Sequence, residues 1–132
     1  MDHIRHLNPD DVAAPRATYS HVVRARGEVL WLAGQVSIDE QGRTVGGGDV
    51  AAQLEQVTRN IERILTAAGA GWTDVVRAIF YVVGAANIAA ARAARAALWP
   101  RLFPDGSYPA STFLLVAGLA SEEFLVEIEV TA

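Results

Sequence analysis

Apolar residues recur at Val50, Leu54, Val57, Ile61, Ile64, Leu65 and Ala68, with Gln53, Glu55, Gln56, Arg59, Glu62 and Arg63 on the other faces. Spacings of three and four put the first set on one face of a helix. Asp49 is a suitable N-cap and Gly69 a natural residue just past the end, so the pattern predicts a helix over 50–68. A second helix is expected from Asn87 to about Trp99, through the alanine-rich Ala89–Ala97, with Pro100 ending or kinking it. Elsewhere the runs are β-branched or aromatic. Tyr19–Arg26 and Val29–Ile38, parted by Gly27-Glu28, read as a hairpin. In the second run Val29, Trp31, Ala33, Gln35 and Ser37 would share one face, and Leu30, Leu32, Gly34, Val36 and Ile38 the other. Val75–Val83, Ser111–Ala117 and Phe124–Thr131 are three further expected strands. Residues 1–16, with Pro9 and Pro15, read as an irregular arm.

The predicted order is β-β-α-β-α-β-β, a single α+β domain over 1–132 with a mixed sheet and two helices on one face. The opposite face still carries apolar residues, so self-association is expected to cover it. With 132 residues and 52% hydrophobic content, the chain has material for one real core. A net charge of −4 argues against nucleic acid or an anionic membrane surface as partner. The longest apolar runs, such as Ile79–Val83 and Phe113–Ala117, are too short to span a bilayer, and Met1–His6 holds no apolar leader core, so a cytoplasmic protein is expected.

Two absences narrow the chemistry. There is no cysteine, and all 11 basic residues are arginine. Disulfides, thiolate nucleophiles, Cys-ligated metals and lysine Schiff bases are thereby excluded. The Gly46-Gly47-Gly48 triplet lacks the Gly-Lys-Ser/Thr ending of a phosphate loop and reads as a flexible lead into the first helix. His3 and His6 fall in the arm and make no metal site by themselves. His21 shares a strand face with Tyr19, as a pocket residue or simply a strand residue. The closing Val126-Glu127-Ile128-Glu129-Val130 places Glu127 and Glu129 on one strand face. Two such carboxylates fit, first, an exposed face, and as the functional reading a cleft in which one of them positions or deprotonates a water.

Tyr19-Ser20-His21, Ala33-Gly34-Gln35, Gly48-Asp49…Gln53, Ala67-Ala68-Gly69-Ala70, Asp74-Val75-Val76 and Val126-Glu127-Ile128-Glu129 together resemble, in order, the RidA (YjgF) family of small trimeric proteins with a chorismate-mutase-like fold. The resemblance covers about Tyr19 to Ala132. It implies a homotrimer whose sheets pack into a central barrel, with small-molecule clefts between subunits. It also implies hydrolysis of enamine or imine intermediates, such as 2-aminoacrylate, to a 2-keto acid and ammonia with no metal or organic cofactor.

Carried over by position, Tyr19 matches the family's pocket tyrosine, Gly34 the glycine whose backbone faces the ligand, and Glu127 the glutamate assigned to the water, with Glu129 as the fallback. The departures are several. Pro109-Ala110-Ser111-Thr112 puts Ser111 where the deaminases carry an arginine that grips the substrate carboxylate. Ala33 replaces a serine, Phe113 a cysteine, and Arg92 an asparagine. Loss of a desolvated bidentate pair amounts to about 2–5 kcal/mol, or about 30-fold to several thousand-fold in rate where the transition state uses it. Either Arg92 supplies the cation from the second helix, or the ligand has no carboxylate there and meets a more apolar pocket. The expected function is a RidA-like enzyme acting on an imine, enamine or related reactive intermediate, with Glu127 as acid/base and Tyr19, Gly34, Ser111 and Thr112 shaping the cleft, and not a standard 2-aminoacrylate deaminase. The alternatives are a non-catalytic metabolite- or partner-binding trimer and a biosynthetic enzyme guiding cyclisation or tautomerisation.

Overall fold

The computed structural model describes residues 3–132. Its main sheet is built on β4 (Arg77–Val83), which pairs in parallel with β5 (Ala110–Val116) and antiparallel with β6 (Val126–Thr131). The short β3 (Gln35–Val36) lies on the far side of β6, giving the order β3-β6-β4-β5. Strands β4 and β6 alternate strictly. Ala78, Phe80, Val82, Val126, Ile128 and Val130 point to one face and are at most 1% exposed. The two helices cover that face, as expected.

Helix α1 (Val50–Ala67) starts where Asp49 accepts a hydrogen bond from the Ala52 amide at 3.1 Å, and ends before Gly69, whose φ of +78° suits a glycine. Val50, Leu54, Val57, Ile61 and Leu65 are buried on the sheet. Two glutamines expected on the polar faces are buried as well. Gln53 is 0% exposed, its Nε2 donating to the carbonyls of Gly46 (3.2 Å) and Glu123 (2.8 Å) and its Oε1 accepting from the Leu125 amide (2.8 Å). It is a polar strut between the helix start and the loop leading into β6.

Helix α2 (Ile88–Leu102) runs past Pro100 instead of ending at Trp99. A proline in the last turn removes one donor, and the helix still closes through the Phe103 amide on the Trp99 carbonyl at 2.8 Å. Trp99 and Phe103 belong to an aromatic cluster with Trp72 and Phe80, ring centroids 5.0–6.0 Å apart, which holds this turn in place. Asn87 precedes α2 without capping it, because its side chain donates to the Val83 carbonyl.

The N-terminal third departs from expectation. Ile4–Leu7, read as irregular, is β1, and it pairs antiparallel with β2 (Val22–Ala25). The hairpin partner of β2 is therefore the arm and not the run after Gly27. A parallel bridge from Ser20 to Ala110 hangs this ribbon on the β5 edge. The run 29–38 follows β6 instead, through Trp31 opposite Thr131 and Val36 opposite Glu127. Between Trp31–Thr131 and the next pair, Gln35–Ile128, the three residues Leu32, Ala33 and Gly34 face only Glu129 and Val130, which is a one-residue bulge. The bulge breaks the alternation predicted for this run and turns Trp31 and Val36 to the same outer face.

Candidate functional site

The outer face of the sheet holds the two carboxylates. Glu127 lies across from Val36 and Tyr81, and Glu129 across from Ile79. The bulge brings Gly34 onto Glu127 so closely that a Cβ at Gly34 would collide with the Glu127 carboxylate. A side chain at residue 34 is therefore incompatible with this carboxylate position. Glu127 is half-buried, and burial, followed by the charge of Glu129, raises its carboxyl above the ordinary value. Glu129 is exposed and accepts a long hydrogen bond from the Tyr81 hydroxyl at 3.4 Å. Burial and the Glu129 charge raise the Tyr81 phenol in turn. Of the two candidates, Glu127 is thus the one seated against the glycine backbone. Ala33 sits in the bulge, and Thr112 faces the same side of the sheet from β5, opposite Ile79.

A second group of expected residues meets elsewhere. Tyr19, Arg92, Ser111 and Phe113 line a cleft of about 590 Å³ between α2 and β5, together with Arg16 and Arg95. Tyr19 packs edge-on to His21 at 5.6 Å, and the His21 ring is tied to the Ala13 carbonyl at 2.7 Å. Ser20, next to Tyr19, donates to the Tyr108 carbonyl at 2.6 Å, which fixes this segment to the approach to β5. Ser111 pairs with Ala78 and points to the helix side of the sheet, opposite in sense to Thr112. Its hydroxyl is buried with no hydrogen-bond partner. Arg92 is exposed but does reach the cleft, its guanidinium 5.7 Å from the Phe113 ring. Arg77 lies exposed on the outer face across from Thr131 and does not line the cleft.

Arg95, one helical turn from Arg92, is 6% exposed. Its guanidinium rests over the rings of Phe80 and Phe113, 5.2 Å from each centroid. Burial, then the neighbouring Arg92 charge, pulls it below the usual arginine value. The ion pairs among the described residues are Arg43–Asp39 and Arg63–Glu40, so none of the three cleft arginines has a carboxylate partner there. Cation–π contact contributes about 0.5–2 kcal/mol, whereas removing an unpaired ion from water costs several kcal/mol. A helical signal for Arg95 existed in the sequence. Ala91, Arg95, Leu98 and Trp99 follow the i, i+4, i+7, i+8 spacing of the buried stripe of α2. Tyr81, also missed, follows from β4 alternation opposite Glu127.

Within one chain the two groups lie on opposite faces of the sheet, so the expected site residues do not form one cleft. Among the described residues no cluster of three or more histidine, aspartate or glutamate side chains could hold a metal ion, and no helix is long and apolar enough to cross a membrane.

Known proteins place this arrangement. The family model described as Endoribonuclease L-PSP matches residues 10–132. A RutC family protein of Synechocystis is 33% identical over 120 residues, covering 90% of this chain and 88% of that protein. Among solved structures, the Rid-family protein YyfB of Yersinia pestis, of unknown function, is 40% identical with a TM-score of 0.85, covering 99% of this chain and 98% of that one. A Mycobacterium tuberculosis member of the YjgF family is 31% identical with a TM-score of 0.63, covering 86% of this chain and 85% of that one. Sequence motifs, fold and near-complete coverage converge, and the chain belongs to the RidA (YjgF) family.

Proposed function

We propose that the protein is a cofactor-independent cytoplasmic hydrolase that acts on an imine or enamine intermediate and works as a homotrimer. The observation that carries this reading is the Glu127 carboxyl, half-buried, raised above its ordinary value and held against the Gly34 backbone. A carboxylate with a raised pKa is a better base at neutral pH than an exposed one. It would take a proton from water as the oxygen attacks the C=N carbon, and return a proton to the nitrogen. The carbinolamine then loses ammonia and leaves the carbonyl, so water and imine are consumed and ketone and ammonia released. An imine is already electrophilic, so the residues need supply only position and proton transfer.

The division of the site supports assembly. A neighbouring copy that brings its Tyr19–Arg92–Ser111 cleft against Glu127 would complete one site per interface. The outer sheet face is also uncovered, with Trp31 80% and Leu114 42% exposed beside Val36 and Ile79. Thr112, on that face, would line the interface. With Ser111 in place of an arginine and Phe113 walling a 590 Å³ cleft, 2-aminoacrylate is expected to be a poor substrate and a larger intermediate a better one. The same replacement favours, as the second reading, a trimer that binds a metabolite without converting it.

The test follows keto-acid and ammonia release from a panel of imines generated in situ, with mass measured by light scattering. Release above the uncatalysed rate, lost in Glu127→Gln, is expected from a species of three times the chain mass. Binding with no turnover across the panel would replace the enzyme reading by the second one.

A further inference from the structure

Strand β1 sets Arg5 directly opposite Arg24 on β2, and Leu7 opposite Val22. All four side chains are exposed and lie on one face of the ribbon. Like charges facing each other across a strand pair destabilise it, so folding does not explain the two arginines. Their face is the outer one. His6, on the opposite face, lines a cavity with Phe103 and Asp105 from the turn after α2. Ser20 bridges Ala110, which stands opposite the outward Arg77, and Val22 and Arg24 follow at two-residue steps. The uncovered face of the main sheet thus runs on into the ribbon and ends in two cations. At its other end β6 carries the opposite pair, Glu127 and Glu129, in which burial, then the Glu129 charge, raises the Glu127 carboxyl. Among the described residues none of these four charged groups takes part in an ion pair. The apolar positions match as well. Leu7–Val22 lies two residues, about 7 Å, from Arg5–Arg24, and Trp31 stands opposite Thr131, two residues along β6 from Glu129.

We propose that a second copy of this chain docks head-to-tail on this face, with its Arg5–Arg24 pair on Glu129 and its Leu7–Val22 pair on Trp31. This rests on the assembly reading above and names the residues that make the contact. Tyr19 shortly precedes β2, so the neighbour that brings its cleft to Glu127 brings the two arginines with it. Each copy offers the cations from one end of its sheet and receives those of the next copy at the other, the heterologous type of contact that builds closed rings. The two repelling pairs meet their opposites across the interface, which neither can do within one chain. A guanidinium suits the Glu129 carboxylate, and the flat face of Trp31 gives the apolar pair a surface to cover.

Sedimentation velocity across a dilution series, in about 50 mM and about 500 mM NaCl, tests the contact, and wild type is expected to dissociate more readily at the higher salt. Arg5→Glu/Arg24→Glu is expected to raise the dissociation constant at least about 30-fold with an unchanged far-UV circular dichroism spectrum. Glu129→Arg is expected to do the same, and the three changes together to restore assembly to within about tenfold of wild type. Arg24→Glu alone sets opposite charges across the ribbon, so it is expected to fold at least as well as wild type and still weaken assembly, and it serves if the double variant does not fold. A monomeric wild type, wild-type assembly in the charge-reversed variants, or a combined variant no better than its parents would overturn the proposal. Imine turnover separates the two claims. Assembly that follows the charges, with no imine turned over, would leave the contact and remove the enzymatic reading. Turnover by a trimer indifferent to the charge reversals would do the reverse.

Discussion

Replacing Gln53 by leucine tests how the fold holds the candidate base in place. The side chain is fully buried and makes three hydrogen bonds, at 3.2, 2.8 and 2.8 Å, to backbone groups of Gly46, Glu123 and Leu125. Leucine has a similar volume, so little cavity forms and the change isolates the polar term. At about 1 kcal/mol per bond the loss is about 3 kcal/mol, and the apolar gain of a buried leucine, up to about 1.5 kcal/mol, offsets part of it. The net loss of about 1.5–3 kcal/mol lowers the melting temperature of a domain this size by roughly 6–12 °C. Leu125 directly precedes β6 and stands two residues before Glu127, so freeing its amide loosens the start of the strand that carries the candidate base. Urea and thermal unfolding at fixed protein concentration measure the first effect, and kcat on the best imine substrate the second. A midpoint within about 0.5 kcal/mol of wild type would refute the strut, because buried backbone groups left without partners cannot be neutral.

Further outcomes follow from the site. In the folded chain Glu127 favours its neutral form, so its contribution to stability is present at low pH and is lost as pH rises through the raised value. Glu127→Gln is therefore expected to raise the melting temperature at neutral pH and to converge with wild type below the ordinary carboxylate range; a lower melting temperature at neutral pH would contradict the burial argument. Wild-type kcat/KM on an imine is expected to rise with pH through that same raised value and then level off, and a flat profile would deny Glu127 the role of base. Gly34→Ala drives a methyl into the Glu127 carboxylate and is expected to reduce turnover at least tenfold; wild-type kinetics would show that the contact does not set the site. Trp31→Glu places a charge on the uncovered face and is expected to yield a smaller species by light scattering, whereas an intact trimer would put the interface elsewhere.

What the sequence made legible, and what it hid, divides by the range of the interactions. Helix α1, strands β4 to β6 and the cover of one sheet face follow from periodicity and caps within a few residues of their bounds, because each depends on its own side chains. The hairpin failed because alternation shows that a run is a strand without naming its partner. The arm at Ile4–Leu7 offered one edge to β2, and β6 took the next run. The bulge at Leu32–Gly34 was hidden for the same reason, since it exists only relative to the count on β6.

The arginine shows a different limit. Comparing positions along the chain found Ser111 where a cation was wanted and looked to Arg92 as the substitute. A cation acts at the end of a long side chain, so its backbone address can move from strand to helix while the charge stays in the same cleft. The stripe Ala91, Arg95, Leu98, Trp99 already placed a charge on the buried face of α2, where a charge is costly unless other groups compensate it. Gln53 has a different outcome: it is a fully buried polar residue on α1 and the fold itself supplies all three partners. A polar residue on a core stripe thus divides into two classes once the structure is in hand. Those with partners hold the backbone, and Arg95 rests its guanidinium over Phe80 and Phe113 with no carboxylate in ion-pair reach.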